Sequence, residues 1–449
     1  MKTSDNIQLN DNSSPLRTLF ALAIPVMLEQ LGQIFLGTVD TYFAGQIGDN
    51  AIAAINVSNM FTNLFTGIFA SLGIGVLVKI SHALGEGDDR RANSFLRQGL
   101  LLGCGAGLLI GILCFLFRRP FLMMAGARGE ILSLSLTYYT VVCVPCVFIS
   151  LSAILSNGLK ALQNTRASMQ AALAANLTNA LLDLIFVSME LGVFGLALAT
   201  TLSRILNVYL LLRVYLSGIP HLKLDRSGWR PEPSAMTSLA AYSLPILLTQ
   251  LSNRFISLIS GSLVLHLGDL YYVTHSITNQ LDSYVCIPMM GFEAAAATLV
   301  SSSVGAKRPK QAVRYAVWSC ATAVVCMTAL GILMAFLAVP LASIFTSTVE
   351  IQLMVRDMFV FLAFLQWTSA LAQVGISIIQ GIGDSRLPFI VTLICNITIR
   401  LGGGYFMAYV LGWKLIGIWA GFMLDFLLRC IPLGLRFARF VRQSNCTSD

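Results

Sequence analysis

Residues 16–45 read LRTLFALAIPVMLEQLGQIFLGTVDTYFAG, and 220 positions later, over 236–264, the same register returns as MTSLAAYSLPILLTQLSNRFISLISGSLV. Each run exceeds the roughly 20 mainly apolar residues that a helix needs to cross a bilayer. The displacement pairs Pro25 with Pro245, Gln30 with Gln250, Gly48 with Gly268 and Gly85 with Gly305. It continues through Ala92/Ala312, Pro120/Pro340, Arg166/Arg386, Asn176/Asn396 and Gly192/Gly412. The chain is therefore read as two copies of one unit, 1–220 and 221–449. Further apolar runs at 52–78, 94–117, 132–157, 167–188, 191–216, 270–300, 312–338, 351–378, 387–410 and 415–436 complete an all-α membrane protein of twelve spans, six per copy. Because six is even, both copies enter the membrane in one orientation, as in transporters built from parallel halves.

Composition agrees. Of the 449 residues 56% are hydrophobic and 11% charged, whereas soluble domains carry roughly 25% charged residues. A water-facing surface cannot hold this much apolar material without large exposed patches, which excludes soluble enzymes and soluble binding modules. The net charge of +8 does not point to nucleic acid, because the basic residues cluster between apolar runs rather than on one face. The termini and even-numbered connections hold 20 Lys and Arg, the odd-numbered ones 5. Positive charge favours the cytoplasmic side, so both termini are expected there. The polar first fifteen residues lack a signal-peptide core, so nothing is expected to be cleaved. Most of the ten cysteines fall inside apolar runs and are expected to pack as small hydrophobes. Cys143-Val144-Pro145-Cys146 has redox spacing but no cationic neighbour to activate a thiol.

Ionisable groups at membrane depth are costly and normally face a cavity or a partner. On the fifth span Asn176, Asn179 and Asp183 follow i, i+3, i+7 and share a helix face. On the first, Glu29, Gln33 and Asp40 follow i, i+4, i+11, beyond the kink or hinge expected at Pro25. Asp40, Asn179 and Asp183 correspond across the repeat to Ser260, Ile399 and Gly403. Scaffold residues should recur in both copies, so these three mark a site special to the first, while Asn176, matched by Asn396, reads as packing glue. In the second copy, Asp425 and Arg429 (i, i+4) should neutralise each other, and Glu293 is read either as a contact for a cationic substrate or as the partner of Arg254 or Arg400. His82, His221, His266 and His275 lack metal-ligand spacing and are expected to be solvated or interfacial. Gly103, Gly107 and Gly111 form a small-residue stripe for close helix packing.

Three stretches carry a resemblance: Ile24-Pro25-Val26 through Val39-Asp40-Thr41 with Ala44-Gly45; the paired Ala83-Leu84-Gly85-Glu86-Gly87 and Ser303-Val304-Gly305-Ala306; and Gln380-Gly381-Ile382-Gly383-Asp384-Ser385-Arg386 with its degenerate partner at 161–166. Over about 16–436 the chain resembles the multidrug and toxic compound extrusion (MATE) family, bacterial type. The resemblance implies an antiporter that exports amphipathic, often cationic, organic compounds against inward H⁺ or Na⁺, with no cofactor and as a monomer. It implies a cation pocket at Asp40, Asn179, Asp183 and Thr200. Two carboxylates in a poorly hydrated pocket share a proton or ligate Na⁺ through hard oxygen donors. Glu29, Gln33, Asn157, Asp282, Glu293 and Met289 are the candidates for lining the substrate cleft.

The alternative is a lipid-linked oligosaccharide flippase, with Arg204, Arg254 and Arg400 available for a pyrophosphate headgroup. Gly381-Ile382-Gly383-Asp384 matches a string of intramembrane aspartyl proteases, but no second aspartate motif accompanies it. No phosphate-binding Gly-x-x-x-x-Gly-Lys-Ser/Thr is present.

Overall fold

The computed structural model describes residues 14–222, 224 and 229–446. The polar residues 1–13, the linker positions 225–228 and the Cys446 side chain lie outside the described residues. Every predicted run is helical. The elements are α1 (Pro15–Ile47), α2 (Asp49–Gly85), α3 (Asp89–Leu116), the short α4 (Arg118–Met124), α5 (Gly129–Cys143), α6 (Val147–Ala161), α7 (Thr165–Ser188) and α8 (Gly192–Leu216). The second copy follows with α9 (Pro233–His266), α10 (Asp269–Val285), α11 (Ile287–Gly305), α12 (Pro309–Ala342), α13 (Val349–Ala363), α14 (Gln366–Gly381), α15 (Arg386–Cys395) and α16 (Lys414–Cys446). Between α15 and α16 the helix widens into π turns at Asn396–Gly403 and Phe406–Val410.

Three predicted spans are broken rather than continuous. The run 132–157 bends by 41° between α5 and α6, where Pro145 removes a backbone donor and clashes with the preceding turn. At the same register of the second copy α13 and α14 bend by 57° without a proline; a tight turn carries the chain there, Leu365 N donating to Leu362 O at 2.9 Å. The break between α10 and α11 precedes Pro288, which occupies the first turn of α11. Its counterpart is Ile68, and α2 runs through without interruption. Among the described residues nine helices are long and apolar enough to cross a membrane, or eleven with each bent pair as one span. The 34-residue α9, which includes Asn253 and Arg254, falls outside that set by composition.

Packing divides the chain elsewhere than the repeat does. One compact unit holds Leu28–Leu247; the other holds the chain up to Met27 and from Leu248 onward. Both divisions fall inside unbroken helices, two residues after Pro25 and Pro245. Within the first unit, Phe65, Phe69, Tyr139 and Cys143 form one buried cluster, and Ala44, Ile55, Tyr138, Val142, Leu196 and Ala197 another. The glycine stripe of α3 lies against α6: a Cβ on Gly107 would approach Val147 Cα at 2.7 Å. Such closeness lets dispersion contacts and backbone approach hold helices together where lipid removes the hydrophobic drive. In the other unit Leu19, Leu22, Phe292, Phe359, Ile418 and Trp419 are buried in one core.

Candidate functional site

Asp40 lies two turns before the end of α1. Asn179 and Asp183 stand one turn apart on α7 and are 0% and 1% exposed. The reversal into α8 is tight, with Gly192 at φ 58, a left-handed backbone that glycine adopts without a Cβ penalty. α8 thereby returns alongside α7, presenting Thr200, Ser203 and Arg204. The Asp40 and Asp183 carboxyl groups lie within hydrogen-bonding reach of each other. Asn179 Nδ2 donates to Ser203 Oγ at 3.2 Å and Ser203 Oγ donates to Thr200 O at 2.8 Å, which fixes the amide orientation. Thr200 Oγ1 donates to Leu196 O at 3.0 Å and neighbours the Tyr138 hydroxyl. All four residues named by the resemblance are thus gathered in one unit, buried or half-buried.

The polar inventory of this site does not close. Asp40 Oδ1, Asn179 Oδ1 and Asp183 Oδ2 are buried without a hydrogen-bond partner. Buried acceptors normally have one, and each orphan costs about 1–3 kcal/mol, more if charged. Three hard oxygens from two helices form a donor set that fits a proton or an alkali cation. Three further residues border the set and were not singled out for it from the sequence: Tyr138, which is 2% exposed, Ser203 and Arg204. Arg204 donates Nη1 to Val142 O at 3.0 Å and lies near enough to act electrostatically on Asp40. The repeat offers a signal for them, since their counterparts are Met358, Met423 and Leu424.

The substrate candidates scatter. Glu29 is 6% exposed and neutralised: Lys160 Nζ donates to Oε1 at 3.1 Å and Ser168 Oγ to Oε2 at 3.1 Å. Gln33 is exposed, so the stripe with Asp40 splits into three environments. Asn157 is half-buried and donates to Ala153 O at 2.8 Å. In the other unit Asp282 accepts from Gln366 Nε2 at 2.6 Å, while Met289 is core, 8% exposed. Glu293 is half-buried and, among the described residues, forms no ion pair with Arg254 or Arg400. Arg254 is exposed; Arg400 lies 4.0 Å from Asp425 and 4.0 Å above the Phe422 ring.

Asp425 and Arg429 pair as expected, Nε to Oδ1 at 2.7 Å. Arg429 also reaches Asn396 Oδ1 at 2.8 Å, and Asn396 Nδ2 donates to Asn253 Oδ1 at 2.9 Å. The interhelical bonding expected of Asn176 is thus found at its mate Asn396, whereas Asn176 itself leaves a buried Nδ2 unpartnered. His275 corrects the expectation of a solvated imidazole: it is 7% exposed and accepts from Trp419 Nε1 at 3.1 Å. Asp384 caps α15, accepting from Leu387 N at 3.1 Å, and pairs with Arg436 at 3.2 Å; its mate Asn164 caps α7, accepting from Ala167 N at 3.3 Å.

The same fold is found among solved structures. An outward-facing multidrug resistance MATE family transporter of the MOP superfamily matches with a TM-score of 0.90 over 98% of this chain and 100% of that one, at 20% identity. Among curated proteins, a probable multidrug resistance protein NorM from Thermotoga maritima is 25% identical, covering 92% of this chain and 90% of that protein. An FAD transporter from Shewanella oneidensis is 25% identical over 76% of each chain. The MatE family model matches twice, at residues 25–185 and 245–406, at the spacing of the internal repeat. With both copies matched and the fold shared throughout, the chain belongs to the MatE family of membrane transporters.

Proposed function

We propose that the protein is a secondary active transporter that exports amphipathic organic compounds, cations among them, driven by inward H⁺ or Na⁺ taken up between Asp40 and Asp183. The observation carrying this reading is the set of three buried, unpartnered oxygens on Asp40, Asn179 and Asp183. Two carboxyl groups in reach of each other cannot both remain charged in a dry pocket at small cost. A proton shared between them, or an alkali cation held with the Asn179 amide oxygen and the Thr200 hydroxyl, removes that cost. Loading and release then favour different packings of the proline-bearing α1 against α7, the differential that couples the ion to a change in access. The names of the multidrug resistance relatives support this class of cargo. The bias of basic residues supports cytoplasmic termini; an inner-membrane location, a monomer and the lack of a bound cofactor rest on the family resemblance.

The flippase alternative draws on three arginines. Arg204 is bonded to Val142 O, and Arg400 is held by Asp425 and Phe422, so two of the three already have structural partners.

Inverted vesicles with a pH gradient or a Na⁺ gradient imposed separately test the proposal. Ethidium movement should follow one gradient in the wild type and vanish in Asp183→Asn. Movement that persists in the variant, or that neither gradient drives, overturns the coupling reading.

A further inference from the structure

Outside the cation pocket, the unit built from the second copy contains a groove of about 440 Å³ between α12, α14 and α16. Val317 and Val324 line one wall, Leu371 and Gly375 the floor, Gly434 and Phe437 the other wall. The volume falls in the range of built ligand sites, roughly 300–1,000 Å³, yet the only ionisable side chains lining it are the thiols of Cys320 and Cys430. A Cβ on Gly434 would meet no atom within 4 Å, so the groove is open space beside the helix. It also lies on a lipid-facing side. Val317, which lines the groove, is 53% exposed, and only 17% of the most apolar stretch of α12 is buried.

One end of this groove is charged. Along α12 the positions Lys310, Arg314, Val317, Ala321 and Val324 follow alternating steps of four and three, which places them on one helix face. The lining face therefore continues into Lys310 and Arg314, both exposed and without an acidic partner among the described residues. Arg436, beside Phe437, joins the same end and holds Asp384 at 3.2 Å. An apolar slot at bilayer depth that ends in two uncompensated cations complements a molecule with an acyl chain and an anionic head. Basic side chains reach such a headgroup level from within the apolar layer.

We propose that this groove is a binding site for one anionic phospholipid, its acyl chain along α12, α14 and α16 and its phosphate at Lys310 and Arg314. The site is independent of the cation pocket, which lies in the other packing unit.

Two measurements on the full-length protein test it. Native mass spectrometry of protein released from phosphatidylglycerol/phosphatidylethanolamine nanodiscs should retain one phosphatidylglycerol per chain. Gly434→Leu, whose Cβ meets no atom within 4 Å and whose side chain would occupy the groove, should lower that retention at least about tenfold. Lys310→Gln with Arg314→Gln should lower the preference for phosphatidylglycerol over phosphatidylethanolamine by roughly thirtyfold at low ionic strength. In the wild type, phosphatidylglycerol carrying a photoreactive acyl chain should crosslink to α12, α14 and α16, a readout that needs no variant. Equal retention in wild type and Gly434→Leu, crosslinks spread evenly over all lipid-facing helices, displacement of the lipid by ethidium, or a second copy of the chain seated on the groove would each overturn the proposal.

Discussion

In the first copy α1, α5, α7 and α8 contribute Asp40, Tyr138, Asn179, Asp183, Thr200, Ser203 and Arg204 to one place. At the same register of the second copy stand Ser260, Met358, Ile399, Gly403, Ala420, Met423 and Leu424. The second copy has its own buried charges, and its central ones are paired: Asp425 holds Arg429, Arg400 lies 4.0 Å from Asp425, and Asn396 accepts from Arg429 while bonding Asn253, although Arg400 Nε stays without a hydrogen-bond partner. One bundle thus buries two carboxyl groups facing each other with oxygens that lack partners, and the other centres on an Asp425–Arg429 pair of opposite charges that supply each other. Unpartnered buried polar groups are costly, whereas paired ones hold helices together. The backbone repeats the distinction. α7 is a regular helix through Asn179 and Asp183, whereas the corresponding stretch beyond α15 is π-helical around Arg400.

The comparison fails most visibly at Asp183. Asp183→Asn should reduce gradient-driven export by two orders of magnitude or more, equivalent to about 3 kcal/mol of lost driving interaction, while its melting temperature in detergent stays level or rises because an unpartnered buried acid is removed. Wild-type export by this variant would show that the unsatisfied oxygens do no coupling. In the second copy the order of effects reverses. Asp425→Asn should destabilise the fold by about 3–5 kcal/mol, read from denaturant unfolding, because Arg429 is left buried without its counter-charge. The double change Asp425→Leu, Arg429→Leu should recover most of that loss, and a failure to recover would mean that the network is more than an ion pair.

Glu29 gives a sharper contrast inside the first copy. Glu29→Gln should cost roughly 3 kcal/mol by stranding Lys160, with the range of exported compounds unchanged in vesicle assays. An altered range at unaltered stability would return Glu29 to the substrate cleft. The smallest effects belong to the caps. Asn164→Ala and Asp384→Ala should each cost about 1 kcal/mol by thermal unfolding, and unequal losses would measure what the Arg436 bridge adds to one of two otherwise matching turns.

Much of this was legible in the chain. The apolar runs and the constant displacement of 220 are one-dimensional properties, and helices in lipid must satisfy their own backbone, so span and repeat follow from composition and order. Asp40, Asn179 and Asp183 stood out because a repeat permits comparison of each residue with its own mate. Tyr138, Ser203 and Arg204 pass the same comparison, but a tyrosine, a serine or a single arginine in an apolar run has many possible roles, and only the approach of α5 and α8 to α7 gives them this one. Glu29 misled because its helix face agrees with that of Asp40, while its ion-pair partner Lys160 lies 131 residues away. His275 misled likewise, its partner Trp419 lying 144 residues off.

Sequence alone therefore determined the number and order of spans, the two-copy organisation and the asymmetry between the copies, because hydropathy, charge bias and residue identity at matched positions need no neighbour to be read. Tertiary structure decided which polar groups have partners, where the spans bend and that packing units exchange their first helical segments at Met27 and Leu247. Those depend on contacts between residues far apart in the chain, and the stability of a buried charge is a property of its surroundings rather than of its own side chain.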